Sequence, residues 1–249
     1  MRKWRADGFL VLRNVFCPDE MHTLLAETGR LLTERRDLID QCNLRCRFMA
    51  HVETGEKVFE VFDPVNDISE VCKKFTSDRR LVAIVESILG EPACIFKEKL
   101  IFKPPGVLGY NLHQDIPRYW DGFPRTFLTV LIPIDPATVE NGCTEVFSGY
   151  HHDFLSPPGR PDLYMLPEDA VDPARGVKLI LDPGDVAIFH GLTPHRSAPN
   201  RSGGRRRAFY VSYNARSDGG DQREAHYREF QERMRQHLDA EGSGKTYFR

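Results

Sequence analysis

Long apolar runs are missing from this chain. No window approaches the ~18 consecutive apolar residues of a membrane span. Near the start only Phe9 to Leu12 are uniformly apolar, which is too short for the core of a signal peptide. Cysteine is scarce. The six, Cys17, Cys42, Cys46, Cys72, Cys94 and Cys143, show neither the C-x-x-C pairing of a zinc site nor the density of a disulfide-stapled secreted domain. Cys42 and Cys46 read as two ordinary thiols. An excess of one charge is missing too: 34 basic against 36 acidic side chains give a formal net charge of -2, no footprint for nucleic acid. The run Arg205-Arg206-Arg207 is too short to change that. Internal repeats and low-complexity linkers are absent. The expectation is a reduced, cytoplasmic setting with neither membrane nor nucleic acid as partner, and the oligomeric state stays open.

What is present is an ordinary globular composition, 41% hydrophobic and 28% charged, in a chain of 249 residues that can bury a substantial core. Gly8 to Phe16 is aromatic and β-branched enough for a first strand. Pro18, Asp19 and Glu20 then open a helix, carried to about Arg36 by Met21, Leu24, Leu25, Thr28, Leu31 and Leu32 at helical spacing. Residues 37–66 give mixed signals, with Lys57 to Phe62 as a short strand. Asp78 caps a second helix with Leu81, Ile84, Val85, Ile88 and Leu89 on one face, and Gly90 stops it.

From Ala93 strands take over. They are Ala93 to Phe102, with the charged centre Lys97-Glu98-Lys99, then Thr126 to Ile134, Cys143 to Phe147, Val177 to Leu181, Val186 to His190 and Arg207 to Asn214. Pro157 to Pro173 reads as a long surface excursion. Residues 221–238 form a polar helix with Tyr227, Phe230, Met234 and Leu238 on one stripe. Helices before a run of short strands predict one α+β domain, mainly β, over residues 1–249. It would comprise helical support over about 17–92, a barrel or sandwich core over about 93–214 and a C-terminal helix over about 221–238.

The chemistry gathers in Tyr110-Asn-Leu-His-Gln-Asp-Ile-Pro-Arg-Tyr-Trp120. On an extended strand His113 and Asp115, two residues apart, point to the same face. A third ligand must come from elsewhere, and His195 in Thr-Pro-His-Arg-Ser-Ala-Pro-Asn is the best candidate. Two His and one carboxylate with open positions is the arrangement of non-haem Fe(II) oxygenases.

These residues, with Glu140-Asn-Gly-Cys143, Ser148-Gly-Tyr-His151, Pro183-Gly-Asp185, Phe189-His190 and His195-x-Ser197-x-x-Asn200 followed by Arg206, resemble the phytanoyl-CoA dioxygenase family. The likeness runs from about Gly8 to Tyr213. It implies a double-stranded β-helix, a cupin-like jelly roll, flanked by helices, that uses Fe(II), 2-oxoglutarate and O2. The resemblance makes His113, Asp115 and His195 the iron ligands. Arg206, eleven residues past the distal His, would hold the far carboxylate of 2-oxoglutarate, a task that suits a planar guanidinium. Ser197 would help it, Lys99 would line the same pocket, and Thr129 would donate a hydrogen bond to the co-substrate.

Asp115 argues against halogenation, since related halogenases lack that carboxylate. The expected reaction is hydroxylation of a small, polar or anionic metabolite with release of succinate and CO2. The alternatives are an oxidative cyclase, desaturase or epimerase using the same site, and a non-catalytic metal-binding cupin-like protein. Against the last stands Arg206, because a pure binder needs no co-substrate anchor. Arg118, Trp120 and His151 are candidate substrate contacts, with Lys97 and Arg125 behind them. His190 is expected to make a structural hydrogen bond. Alternation turns Arg205 and Arg207 away from Arg206, towards solvent.

Overall fold

The structure, a computed structural model, describes residues 2–117, 120, 122–156, 165–240 and 245–249, with the side chains of 239 and 240 set aside. The helices are α1 (Arg2–Asp7), α2 (Pro18–Glu34), α3 (Glu70–Thr76), α4 (Arg79–Leu89) and α5 (Arg223–Ala240). The strands are β1 (Phe9–Leu12), β2 (Cys46–Ala50), β3 (Lys57–Phe62), β4 (Ala93–Ile101), β5 (Phe127–Pro133), β6 (Thr144–Phe147), β7 (Gly176–Lys178), β8 (Val186–His190), β9 (His195–Ser197) and β10 (Ala208–Ala215). A seven-stranded antiparallel sheet runs β1-β8-β5-β10-β4-β3-β2, and a three-stranded sheet runs β7-β6-β9. None of the helices among the described residues is long and apolar enough to cross a membrane.

Strand alternation explains the layering. From β1, Leu10 and Leu12 face one way, with Leu128, Val130, Ile188 and Val211, onto Leu24 and Leu31 of α2 and Leu81 and Val85 of α4. Phe9, Leu131, Ala187, Phe189 and Tyr210 face the other way, onto Val146 of the small sheet and Leu179 just past β7. The two sheets thus close over one apolar layer, as in the expected jelly roll, and helices cover the outer face of the larger sheet. Leu81 is wholly buried, and truncating it to Ala would cost about 2–5 kcal/mol.

The capped helix forms as its sequence predicts. Asp78 accepts from the Arg80 and Leu81 amides, and Gly90 ends α4 at φ 79°. Residues 37–66 hold more order than their mixed signals suggest, because β2 pairs with β3 and so extends the large sheet. Periodicity could not show this: both strands depend on the edge of β4 rather than on their own pattern. The Val177 to Leu181 strand is shorter than expected, since only Gly176–Lys178 pairs with β6.

Candidate active site

Residues 110–117 are not the regular strand that the His-x-Asp spacing suggests. His113 instead makes an isolated antiparallel bridge to His195. The two residues exchange both backbone bonds, His113 N–H to His195 O at 3.0 Å and His195 N–H to His113 O at 2.9 Å. That reciprocal pair sets the imidazoles side by side, 4.1 Å between ring centroids. Gln114 turns the opposite way and bonds the carbonyls of Leu192 and Asp153, so His113 and Asp115 still share a face.

Each imidazole is oriented in the same way. His113 Nδ1 lies 2.7 Å from the carbonyl of Asn111, and His195 Nδ1 lies 3.0 Å from that of Thr193. Each Nδ1 must therefore carry the proton, which leaves each Nε2 as a bare lone pair. Those lone pairs face Asp115, with His113 Nε2 4.0 Å from Oδ1 and His195 Nε2 3.9 Å from Oδ2. The gaps are too long for hydrogen bonds, and the three ligand atoms lie within 4.8 Å of one another. Burial and the neighbouring His195 push His113 down to about 3, and burial lowers His195. Burial alone would raise Asp115, but Lys97, His195 and Lys99 more than offset it and hold the carboxyl well below its usual range. Two neutral imidazoles and one carboxylate, converging in a buried place, fit a divalent iron.

Beside this cluster a narrow recess is lined by Lys99, Tyr110, His195, Ser197, Arg206 and Tyr210. Arg206 is 2% exposed, and its buried Nε has no hydrogen-bond partner among the described residues. A guanidinium held there without a partner is a cradle for a carboxylate, which fits 2-oxoglutarate. Ser197 Oγ opens on the same recess, and Lys99 lies with its Nζ 5.3 Å from the Tyr210 ring centre. Thr129 departs from expectation. Its hydroxyl donates to Asp115 Oδ2 at 2.7 Å, so it orients the carboxylate ligand instead of reaching the co-substrate.

A larger cavity of about 410 Å³ opens on the other side of His113 and Asp115. Its cations include Arg47 and Lys97. Lys97 Nζ lies 3.8 Å from Asp115 Oδ1, and Arg47 stacks on Phe230 with a buried Nη2 that has no hydrogen bond among the described residues and lies 3.9 Å from Asp63 Oδ2. Trp120 is both core and wall: it packs edge-on against Phe96 and Phe123 and lines the cavity. Helix α5 supplies His226, Glu229, Phe230, Arg233 and Met234 to the same lining.

Sequence reasoning missed Arg47, Asp63 and the α5 residues as cavity lining. The signal was an arginine inside an otherwise apolar strand, Cys46-Arg-Phe-Met. His151 is misplaced by the sequence reading: it packs against Trp4, His152 and His190 near the N-terminal segment, away from the cavity. A Cβ on Gly8 would come within 2.5 Å of its ring, so only glycine admits it there. Arg118 lies outside the described residues. His190 does bond structurally, its Nδ1 accepting from the Leu192 amide at 3.1 Å. Arg205 is exposed, but Arg207 is not left to solvent; it forks onto Asp135 and also bonds Thr28.

A family model described as phytanoyl-CoA dioxygenase matches residues 4–208. Among similar proteins, 2-aminoethylphosphonate dioxygenase of uncultured bacterium HF130_AEPn_1 is 28% identical over 226 residues, 87% of this chain and 81% of that protein. Methylphosphonate hydroxylase of Gimesia maris is 36% identical over 141 residues, 57% of this chain and 52% of that one. Among solved structures, EctD from S. alaskensis with 2-oxoglutarate and 5-hydroxyectoine superposes with a TM-score of 0.71. It is 22% identical, with 88% of this chain and 78% of that one covered.

Proposed function

Because the chain belongs to the phytanoyl-CoA dioxygenase family, an Fe(II)- and 2-oxoglutarate-dependent dioxygenase family, we propose that it hydroxylates a C–H bond of a small polar or anionic metabolite. The observation that carries this reading is the buried His113, Asp115 and His195 cluster beside the unpartnered Arg206. When bound, iron and 2-oxoglutarate would supply the oxidising power to place one oxygen atom of O2 on the substrate as hydroxyl, with the other in succinate and CO2 as the remaining product.

The protein's share is placement. His113, Asp115 and His195 would hold the metal, each imidazole donating its Nδ1 proton to a backbone carbonyl and turning its Nε2 lone pair inward. Arg206 and Ser197 would receive the far carboxylate of the co-substrate. Arg47 and Lys97 would draw an anionic group of the substrate into the larger cavity, where Trp120, Phe123 and Phe230 exclude water. Two relatives are named for phosphonates, small acids of the size and charge that this cavity suits. Six cysteines with no disulfide among the described residues support a reducing, cytoplasmic setting. A sheet with strands from Phe9 to Ala215, and a Tyr247 that bridges to Asn43, support reading the chain as one domain.

The test is anaerobic addition of Fe(II) and 2-oxoglutarate, which should give the weak visible charge-transfer band of the bidentate chelate. No band would remove the proposal. His113→Ala and Asp115→Ala should abolish substrate-dependent succinate release in a metabolite screen. Arg206→Ala should mainly raise the 2-oxoglutarate requirement, by roughly 10–100-fold for the loss of charge-assisted bonds.

A further inference from the structure

Lys103 is wholly buried and sits at φ 27°, a left-handed backbone that a lysine rarely adopts. Both halves of the residue engage the recess beside the iron cluster. Its carbonyl accepts the Arg206 amide at 3.1 Å and the Asn200 side-chain amide at 2.9 Å. Its ammonium spends all three protons locally, on Gly142 O at 3.1 Å, Ala198 O at 2.5 Å and Ser197 Oγ at 3.0 Å. The loops it joins are in close contact: Gly142 is at φ 70°, and a Cβ there would lie 2.1 Å from the Ala198 carbonyl.

The consequence falls on Ser197. A hydroxyl accepts at two lone pairs and donates one proton. Ser197 Oγ accepts from Lys103 Nζ at 3.0 Å and from the Tyr110 amide at 3.2 Å. Both lone pairs are thus filled, and no acceptor among the described residues takes the proton. The recess that Ser197 shares with Arg206 is where that proton can go. We propose that Lys103 is a positioning residue for 2-oxoglutarate, holding the Ser197 hydroxyl so that it donates to the far carboxylate beside Arg206. The inference rests on the dioxygenase reading above.

A neutral amine would not serve, because it could accept the Ser197 proton and turn it away from the recess. Burial, and then Arg206, push the Lys103 ammonium down to about 7, with Glu60 opposing. The charged and titratable groups facing it are Arg206 ahead of β10, Glu60 on β3 with the Tyr110 phenol bonded to it, and Cys143 ahead of β6.

The experiment measures the dissociation constant of 2-oxoglutarate for the anaerobic Fe(II)-loaded protein from its chelate band. Lys103→Met and Ser197→Ala should each weaken binding about tenfold, the loss of one charge-assisted bond. The double variant should be no weaker than Ser197→Ala alone. A Lys103→Met protein that binds like the unmodified one, or a further tenfold loss in the Ser197→Ala background, would overturn the inference while leaving the chelate band and the proposed function intact. A second arm needs no Lys103 variant. In the unmodified protein the affinity should fall as pH rises through about 7, and Ser197→Ala should abolish that dependence. Equal slopes in the two proteins would also overturn it.

Discussion

Thr129 shows how much one hydroxyl can settle. It donates to Asp115 Oδ2, and Lys97 lies near the other carboxylate oxygen, so the carboxylate is aimed before any metal arrives. Thr129→Val keeps the shape of the side chain and removes the donor. Iron(II) affinity should then fall about 10–100-fold, as for other residues that orient a metal ligand. A competing chelator reads this, and the free energy of unfolding should change by less than ~1.5 kcal/mol. At this scale the sequence shows residue types and local spacing. His113 and Asp115 were legible because two residues of extended chain put them on one side. The partner of Thr129 was not: alternation gives the face of a side chain but not which neighbour stands opposite.

Strand β4 and helix α5 work as one element. Alternation sends Lys97 and Lys99 towards the iron cluster and Glu98 to the other face, where Arg223 forks onto it. A bulge opposite Ser212 and Tyr213 lets Phe96 join the aromatic wall as well. Strand β3 pairs with β4 only at Ile101 and Leu100, so Glu98, which has β10 on one side at Val211, has no strand on the other. The Tyr227 hydroxyl fills that place, accepting from Glu98 N–H at 2.8 Å and donating to Glu98 O at 2.9 Å. Tyr227→Phe should strand two buried backbone groups and cost roughly 2–4 kcal/mol, measured by urea unfolding, with faster exchange of the Glu98 amide. A cost under ~0.5 kcal/mol would mean that water replaces the phenol. The charged centre of β4 was visible as an anomaly in the sequence. Its explanation was not, since it lies in a helix more than a hundred residues away.

Across the whole molecule, the N-terminal segment is tied to the strand that leads to the distal ligand. The Gly8 carbonyl accepts from the His190 amide and the Thr193 hydroxyl, and the Thr193 carbonyl in turn orients His195. Burial, with His151 and His152 adding to it, pushes His190 down to about 4. Its Nδ1 can accept from Leu192 only while unprotonated. The folded value lies below the ordinary 6.5, so the unfolded chain takes up the proton first as pH falls. Stability from this group is therefore full above about 6.5 and is lost between there and about 4. The loss should approach roughly 2–3 kcal/mol, seen as a falling urea midpoint over that window. His190→Gln, which is neutral throughout, should make the fall shallower by that amount.

The sequence by itself determined the strands from Ala93 onward apart from β9, the capped helix before them, and the ligand pair His113 and Asp115 with its family context. Those features depend on local conformation and on side-chain chemistry, both of which are written in neighbouring residues. The tertiary structure alone decided that His195 would lie across a two-bond backbone bridge from His113, that Arg47 and α5 would wall the larger cavity, and that a buried lysine would meet Ser197. Such meetings depend on which distant strands the chain brings together, and sheet closure fixes that only once the whole core is buried.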